Sequence, residues 1–89
     1  HPENFRLNQN YPNPFNPETT IPFELVSAGH VRLDIYDTSG QHITSLVDNY
    51  LSPGFYTAHF NADHLASGIY YYRLQNHINF QTRRMILIK

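Results

Sequence analysis

Short segments of alternating apolar and polar residues, each closed by turn-forming residues, run through most of this chain of 89 residues. The clearest segment places Val31, Leu33 and Ile35 between polar or amphipathic neighbours. A period of two sends successive side chains to opposite faces of a β-strand. No segment carries an extended helical pattern, so we expect the chain to fold from strands.

Turn residues separate the predicted strands. Residues 30–47 are predicted to form a hairpin closed by Asp37-Thr38-Ser39-Gly40, because Asp can cap its own backbone and Gly can take a positive φ. An earlier strand runs through Ile21, Phe23 and Leu25, and Pro22 within it favours an edge position because proline cannot donate to a ladder. Later strands are predicted at residues 55–60, 69–75 and 78–88, with turns at 52–54 and 76–77 and an irregular link at 61–68.

About seven short strands at this spacing are typical of an antiparallel β-sandwich. The predicted fold class is therefore all-β, with a single sandwich over residues 19–89. Residues 1–18 hold four of the six prolines and many asparagines, which block helix and remove backbone donors. We expect them to form an extended linker and docking segment that is ordered where Phe5, Leu7, Tyr11 and Phe15 dock.

Composition supplies the core and excludes several classes of protein. Seven Tyr and six Phe make up 15% of the chain, and each large ring can bury about 150–250 Å². The formal net charge is −1, so nucleic acid is not an expected partner. No apolar run approaches the roughly 20 residues of a membrane helix, and nothing at the amino end resembles a signal peptide. We expect no membrane insertion, and any export signal would lie upstream.

The chain lacks the patterns of a catalytic or metal site. His59, His64 and His77 are dispersed over different elements, and no Cys is present to complete a metal site. The carboxylates form no recognisable pair, and neither a nucleophile elbow nor a glycine-rich phosphate loop occurs. We therefore expect no metal, no cofactor and no enzyme activity in this chain.

Three consecutive tyrosines allow two interpretations. On a strand, Tyr70 and Tyr72 share one face, and Tyr71 takes the other. The favoured interpretation is that these rings fill a small core and place their hydroxyls at its edge. The alternative is a strip for sugar stacking, as in a non-catalytic carbohydrate-binding or spacer β-sandwich module of a secreted glycoside hydrolase.

The last predicted strand departs from simple alternation. It ends in the apolar run Met85-Ile86-Leu87-Ile88, which favours a strand covered on both faces over an exposed recognition strand. Met85 is the single methionine. Because the sequence begins with His1 and so carries no initiator methionine, we expect the chain to be a fragment or processed product of a longer protein.

Five ordered blocks are distributed over residues 10–89: NYPNPFNPETTIPF at 10–23, VRLDIYDTSGQ at 31–41, GFY at 54–56, ASGIYYYRL at 66–74 and RRMILIK at 83–89. Together they resemble the type A carboxy-terminal sorting domains of the bacterial type IX secretion system. Two departures occur: Phe60 stands where the family often has Trp, before a link of the shorter form, and Arg83 and Arg84 stand where Lys is common.

The resemblance implies an immunoglobulin-like sandwich of about seven strands, with Lys89 as the natural terminus of an exported cargo protein. It implies export to the periplasm and then to the cell surface or beyond. Expected partners are the type IX translocon, its outer-membrane shuttle and a sortase-like peptidase, which commonly removes the domain and links the cargo to surface lipopolysaccharide. We expect the domain to be fused to an upstream cargo and to be a monomer.

The same resemblance, together with the terminal position of the last strand, suggests which residues act. A terminal strand can present main-chain groups and side chains to a partner, as in β-augmentation. We expect Gly68 and Tyr70 to hold the neighbouring strand, and a latch to fix the linker onto the sandwich through Pro12, Asn13, Pro14, Phe15 and Pro17. The expected recognition surface comprises Arg83, Arg84, Met85, Ile86, Leu87, Ile88 and Lys89.

Overall fold

The structure is a computed structural model that describes residues 5–89, so residues 1–4 of the predicted linker lie outside the described residues. The described chain forms seven strands and no helix, which confirms the all-β prediction. The strands are β1 (Phe5–Leu7), β2 (Glu18–Leu25), β3 (Gly29–Tyr36), β4 (His42–Leu51), β5 (Gly54–Asn61), β6 (Gly68–Gln75) and β7 (Phe80–Leu87).

Two antiparallel sheets form the sandwich. One sheet has the order β1-β2-β5, and the other has the order β4-β3-β6-β7. β1 lies within the segment 1–18 for which a linker and docking role is predicted, and it pairs with β2 through residues 5–7. The amino-terminal segment therefore contributes a strand to the smaller sheet.

The core lies between the sheets and follows from the alternation in each strand. Tyr72 is fully buried from β6, and the rings of Phe23 and Tyr56 stack with their centroids 5.5 Å apart. Both ends of the described chain supply buried side chains, which include Phe5, Leu7, Phe15, Met85 and Leu87.

Pro22 does not lie on an edge strand, so that prediction is wrong. β2 is the central strand of its sheet, between β1 and β5. The register of β1 with β2 ends at Leu7 opposite Phe23, and one residue further the Asn8 amide donates to the Pro22 carbonyl at 3.0 Å. An amide at position 22 would return this bond to the Asn8 carbonyl, which instead accepts from the Tyr72 hydroxyl at 2.8 Å. A side chain from the opposite sheet thus replaces the donor that proline lacks.

The hairpin between β3 and β4 is confirmed, and Asp37 organises its turn. The Asp37 carboxylate accepts from the Ser39 hydroxyl at 2.6 Å and from the backbone amides of Ser39 and Gln41 at 2.9 and 3.0 Å. These bonds, led by that of the Ser39 hydroxyl, lower the pKa of Asp37. Gly40 takes a φ of 86°, a conformation in which a side chain would be strained.

Within residues 5–89 we find no helix of the length and apolar character that spanning a membrane requires.

Candidate functional site

The segment between β1 and β2, residues 8–17, covers the outer edge of β7, which is the edge that does not pair with β6. We call this segment the strap. The Phe15 amide donates to the Ile86 carbonyl, and the Ile88 amide donates to the Phe15 carbonyl, both at 2.9 Å. Between them, the Ile86 amide donates to Asn13 Oδ1 at 3.0 Å. Gln9 Nε2 donates to the Arg84 carbonyl at 2.9 Å. The strap therefore pairs the outward main-chain groups of β7 from the carbonyl of Arg84 to the amide of Ile88.

The strap is anchored in the core. The Phe15 ring is 2% exposed and lies 6.3 Å from the Phe60 ring. The Tyr72 hydroxyl donates to the Asn8 carbonyl and accepts from the Asn10 amide, each at 2.8 Å. Burial raises the pKa of Tyr72 to about 12, so this hydroxyl keeps its proton at neutral pH. One tyrosine from β6 thus holds the beginning of the strap, and one phenylalanine holds its middle.

The proline-rich part of the strap is folded back on itself by Asn10 and Thr19. Asn10 Nδ2 donates to Thr19 Oγ1 at 3.0 Å and to the Pro12 carbonyl at 3.2 Å, and the Thr19 hydroxyl also donates to that carbonyl at 3.0 Å. The Pro17 carbonyl accepts from the Ala62 amide at 2.9 Å. The peptide bonds that precede Pro12, Pro14 and Pro17 are cis.

The residues of the expected recognition surface do not share one environment. Met85 and Leu87 are buried at 0% and 1% exposure, so a partner cannot contact them while the domain is folded. Arg84, Ile88 and Lys89 are exposed, and Ile86 is half-buried. Arg83 is exposed but its Nε donates to the Leu7 carbonyl at 2.7 Å, which ties β7 to β1.

Gly68 and Tyr70 lie beside the end of β7. The register places Gly68 opposite Leu87 and Tyr70 opposite Met85, and the Tyr70 hydroxyl donates to the Ala66 carbonyl at 2.6 Å. Lys89 lies at the same end, where its amide donates to the Ser67 hydroxyl at 3.0 Å. The chain that precedes β6 therefore supports the residues that follow β7.

Burial of Tyr70 and Tyr72 confirms the favoured interpretation of the tyrosine triplet. They are 8% and 0% exposed, and both hydroxyls bond to backbone carbonyls. Of the three tyrosines, only Tyr71 lies on the outer face of β6, where it is half-buried. The triplet therefore does not form a continuous platform for sugar stacking.

Several residues that the sequence did not indicate as part of a site lie near Tyr71 on the outer face of the larger sheet. The guanidinium carbon of Arg73 lies 5.0 Å from the ring centroids of both Tyr36 and Phe80. A groove of about 490 Å³ opens beside it, and the lining residues are Tyr36, Asp37, Thr38, Gly40, Tyr71, Arg73 and Thr82. Alternation within β6 puts Tyr71 and Arg73 on one face, but only the strand order brings Tyr36 and Thr82 to them.

Two of the histidines lie beside carboxylates at the surface. His30 lies 2.6 Å from Asp48, and His59 lies 2.6 Å from Glu18. In the part of the chain that the structure describes, no three His, Cys, Asp or Glu side chains are grouped so that they could hold a metal ion.

Comparisons with known proteins point to a family. The family model described as "Secretion system C-terminal sorting domain" matches residues 9–89. Among solved structures, this chain is similar to PorZ, described as an essential bacterial surface component of the type-IX secretion system of Porphyromonas gingivalis. The TM-score is 0.61 at 20% identity, and the match covers 91% of this chain and 11% of PorZ, so it supports the fold. No curated protein matches the chain.

Proposed function

The chain belongs to the family of secretion system C-terminal sorting domains, and from this premise we propose that it directs an upstream cargo protein through the type IX secretion system. The observation that carries the proposal is the family match over residues 9–89, which spans all five sequence blocks. The fold shared with a chain of the type IX component PorZ is consistent with it.

In this proposal the cargo passes from the periplasm across the outer membrane to the cell surface or the medium. The translocon and its outer-membrane shuttle recognise the domain during this passage. A sortase-like peptidase then removes the domain and attaches the cargo to the surface. The domain itself is a non-catalytic monomer. Any chemistry belongs to the cargo and to the peptidase.

We propose that the machinery reads side chains near β7 rather than its backbone edge. Strand addition needs free main-chain groups, but the strap pairs those of β7 from Arg84 to Ile88. The exposed side chains of Arg84, Ile88 and Lys89 stay within reach of a partner. In this proposal Pro12, Asn13, Pro14, Phe15 and Pro17 latch the strap in place, and Arg83, Met85 and Leu87 act through the fold.

The sorting function is tested with residues 1–89 fused to the carboxyl end of a fluorescent reporter that carries its own export signal. The fusion is expressed in a bacterium that has the type IX system, and surface and medium fluorescence are compared with periplasmic fluorescence. We expect the fusion to reach the surface or the medium and the reporter alone to stay in the periplasm. Equal distribution of the two proteins would contradict the sorting function.

The recognition residues are tested by substitution, because deletion of the last strand would also remove Met85 and Leu87 from the core. Arg84→Glu combined with Ile88→Lys changes only outward side chains of this end. Arg6→Glu, on an exposed position of the other sheet, is the matched control. We expect the double variant to be retained in the periplasm while the control is exported. Normal export of the double variant would reject this recognition surface.

A further inference from the structure

Two arginines from neighbouring strands share the outer face of the larger sheet. Arg73 lies opposite Thr82, and Arg84 lies opposite Tyr71. Residues paired in this way project to the same face, and diagonal neighbours on adjacent strands lie about 7–8 Å apart. We call the set Ile69, Tyr71, Arg73, Thr82, Arg84 and Ile86 the β6–β7 face.

Among residues 5–89, neither arginine of this face forms an ion pair with an acidic side chain. The ion pairs of the described chain engage Asp34, Asp48 and Glu18, and none includes Arg73 or Arg84. Asp34 lies opposite Arg73 in the register, but its carboxylate accepts from the Ser45 hydroxyl at 2.5 Å. Asp37 also lines the groove beside Arg73, but its carboxylate accepts hydrogen bonds from Ser39 and Gln41 of its own turn. Within residues 5–89, neither guanidinium therefore has a carboxylate as an ion-pair partner.

Arg73 is nonetheless held in place. Its guanidinium carbon lies 5.0 Å from the centroids of Tyr36 and Phe80, and its Nε is buried without a hydrogen-bond partner in the described chain. Rings on which a guanidinium stacks attract its charge and restrict its orientation. A guanidinium oriented at the wall of an open groove is suited to bind a carboxylate.

Apolar side chains continue the same face toward the carboxyl end. Ile69 and Ile88 are 39% and 52% exposed, and Ile86 between them is half-buried. Arg and Tyr beside exposed aliphatic residues are typical of protein interfaces. Nucleic-acid binding instead depends on many phosphate contacts, which two arginines in a chain of net charge −1 do not supply.

We propose that the β6–β7 face binds an acidic segment of a protein partner. One carboxylate enters the groove lined by Arg73, a second contacts Arg84 on the neighbouring strand, and apolar side chains of the segment pack on Ile69 and Ile86 of the face and on the adjoining Ile88. This inference rests on the proposed function only in naming that partner as a component of the secretion machinery. Recognition of the acidic segment itself requires no transport.

The binding is tested by titrating residues 1–89, labelled with nitrogen-15, with a short synthetic peptide that alternates Glu and Leu. We expect saturable NMR shifts that are centred on Tyr71, Arg73, Thr82 and Arg84. A matched peptide with Gln in place of Glu should bind about tenfold more weakly, because the neutral amide lacks the charge that strengthens a carboxylate's hydrogen bond to a guanidinium. Absence of saturable shifts, or equal affinity for the two peptides, would overturn the proposal.

Variants locate the site. Arg84→Gln alone and Arg73→Gln with Arg84→Gln should each weaken binding of the Glu peptide, the second by about tenfold or more. Arg6→Gln removes the same charge from the other sheet and should leave binding unchanged, and thermal melts check that every variant is folded. Equal weakening by Arg6→Gln would show a general charge effect and reject the site.

The reporter assay separates this inference from the sorting function. If the wild-type fusion is exported and Arg84→Gln abolishes peptide binding without changing export, the acidic partner of this face is not a component of the secretion machinery. If the wild-type fusion stays in the periplasm while the peptide binds as expected, the sorting function fails and the acidic-segment site stands.

Discussion

At the scale of single residues, Tyr72 connects the two sheets through its hydroxyl. The ring is fully buried from β6, and the hydroxyl bonds to both the Asn8 carbonyl and the Asn10 amide of the strap. It also supplies the donor that Pro22 cannot provide to Asn8. One oxygen atom therefore satisfies the carbonyl that a proline in the central strand of the smaller sheet leaves without a donor.

We predict that Tyr72→Phe lowers the free energy of unfolding by about 1–3 kcal/mol, because it leaves a carbonyl and an amide without their partner. Urea unfolding followed by circular dichroism measures this difference. Tyr50→Phe is the control, since Tyr50 is 70% exposed and its substitution should change stability by less than about 0.5 kcal/mol. Equal effects of the two substitutions would contradict the role of the Tyr72 hydroxyl.

The same residue predicts a loss of stability at alkaline pH. Burial raises the pKa of Tyr72 to about 12, whereas an unfolded tyrosine titrates near pH 10. The unfolded chain therefore loses this proton first, and the contribution of Tyr72 is complete below pH 10 and declines as pH rises toward 12.

We expect the free energy of unfolding to fall by on the order of 1 kcal/mol more in the wild type than in Tyr72→Phe between about pH 9 and about pH 11.5. Urea titrations of both proteins at the two pH values provide the measurement. Parallel declines in the two proteins would assign the alkaline loss to other groups.

At the scale of elements, the strap protects the edge of β7. An uncovered edge strand offers a template for pairing with other chains, and natural sheets commonly cover such edges. Here the cover combines main-chain bonds from Phe15 with side-chain bonds from Gln9 and Asn13. The strap is therefore part of the sandwich rather than a free tether.

Asn13→Ala is predicted to expose one amide of this edge without unfolding the domain. The substitution removes the Oδ1 that accepts from the Ile86 amide, so hydrogen exchange at Ile86 should accelerate while the amide of Leu74 in the core stays protected. Asn16→Ala is the matched control, because Asn16 is an exposed residue of the same strap. Unchanged exchange at Ile86 would mean that the Asn13 bond does not protect the edge.

At the scale of the whole molecule, the two ends of the described chain fold against each other. Gln81 of β7 accepts from the Leu7 amide and donates to the Phe5 carbonyl, both at 3.0 Å, and Arg83 donates to the Leu7 carbonyl. The core likewise draws Phe5, Leu7 and Phe15 from one end and Met85 and Leu87 from the other. Neither end of the described chain is therefore structurally independent of the rest of the folded domain.

Deletion of residues 83–89 is predicted to unfold the domain. It removes two buried apolar side chains, each contributing about 1.5–3 kcal/mol, together with the strap's binding edge. The two side chains together account for about 3–6 kcal/mol, which is comparable to the lower part of the range of about 5–15 kcal/mol for the stability of a small domain, and loss of the strap's bonds adds to it. The deletion should abolish the cooperative thermal transition seen by circular dichroism, whereas Arg84→Glu should retain it. A cooperative transition in the truncated chain would contradict this prediction.

The local features of this protein were determined by its sequence. Alternation placed Val31, Leu33 and Ile35 inside and divided the tyrosine triplet between two faces, and Asp37 with Gly40 specified the hairpin turn. These features depend on neighbours within a few residues, so a linear pattern contains them. The ordered motif blocks likewise sufficed to predict the family.

Only the tertiary structure decided the strand order and what it brings together. The central position of Pro22, the strap on β7, and the Arg73 and Arg84 pair all depend on the pairing of strands that lie far apart in the chain. The alternation in a strand predicts which of its side chains point inward, but it does not predict which other strand pairs with that strand. Sheet order is set by packing of the whole core, and this order places the strap along the main chain from Arg84 to Ile88 while the side chains of Arg84 and Ile88 stay exposed.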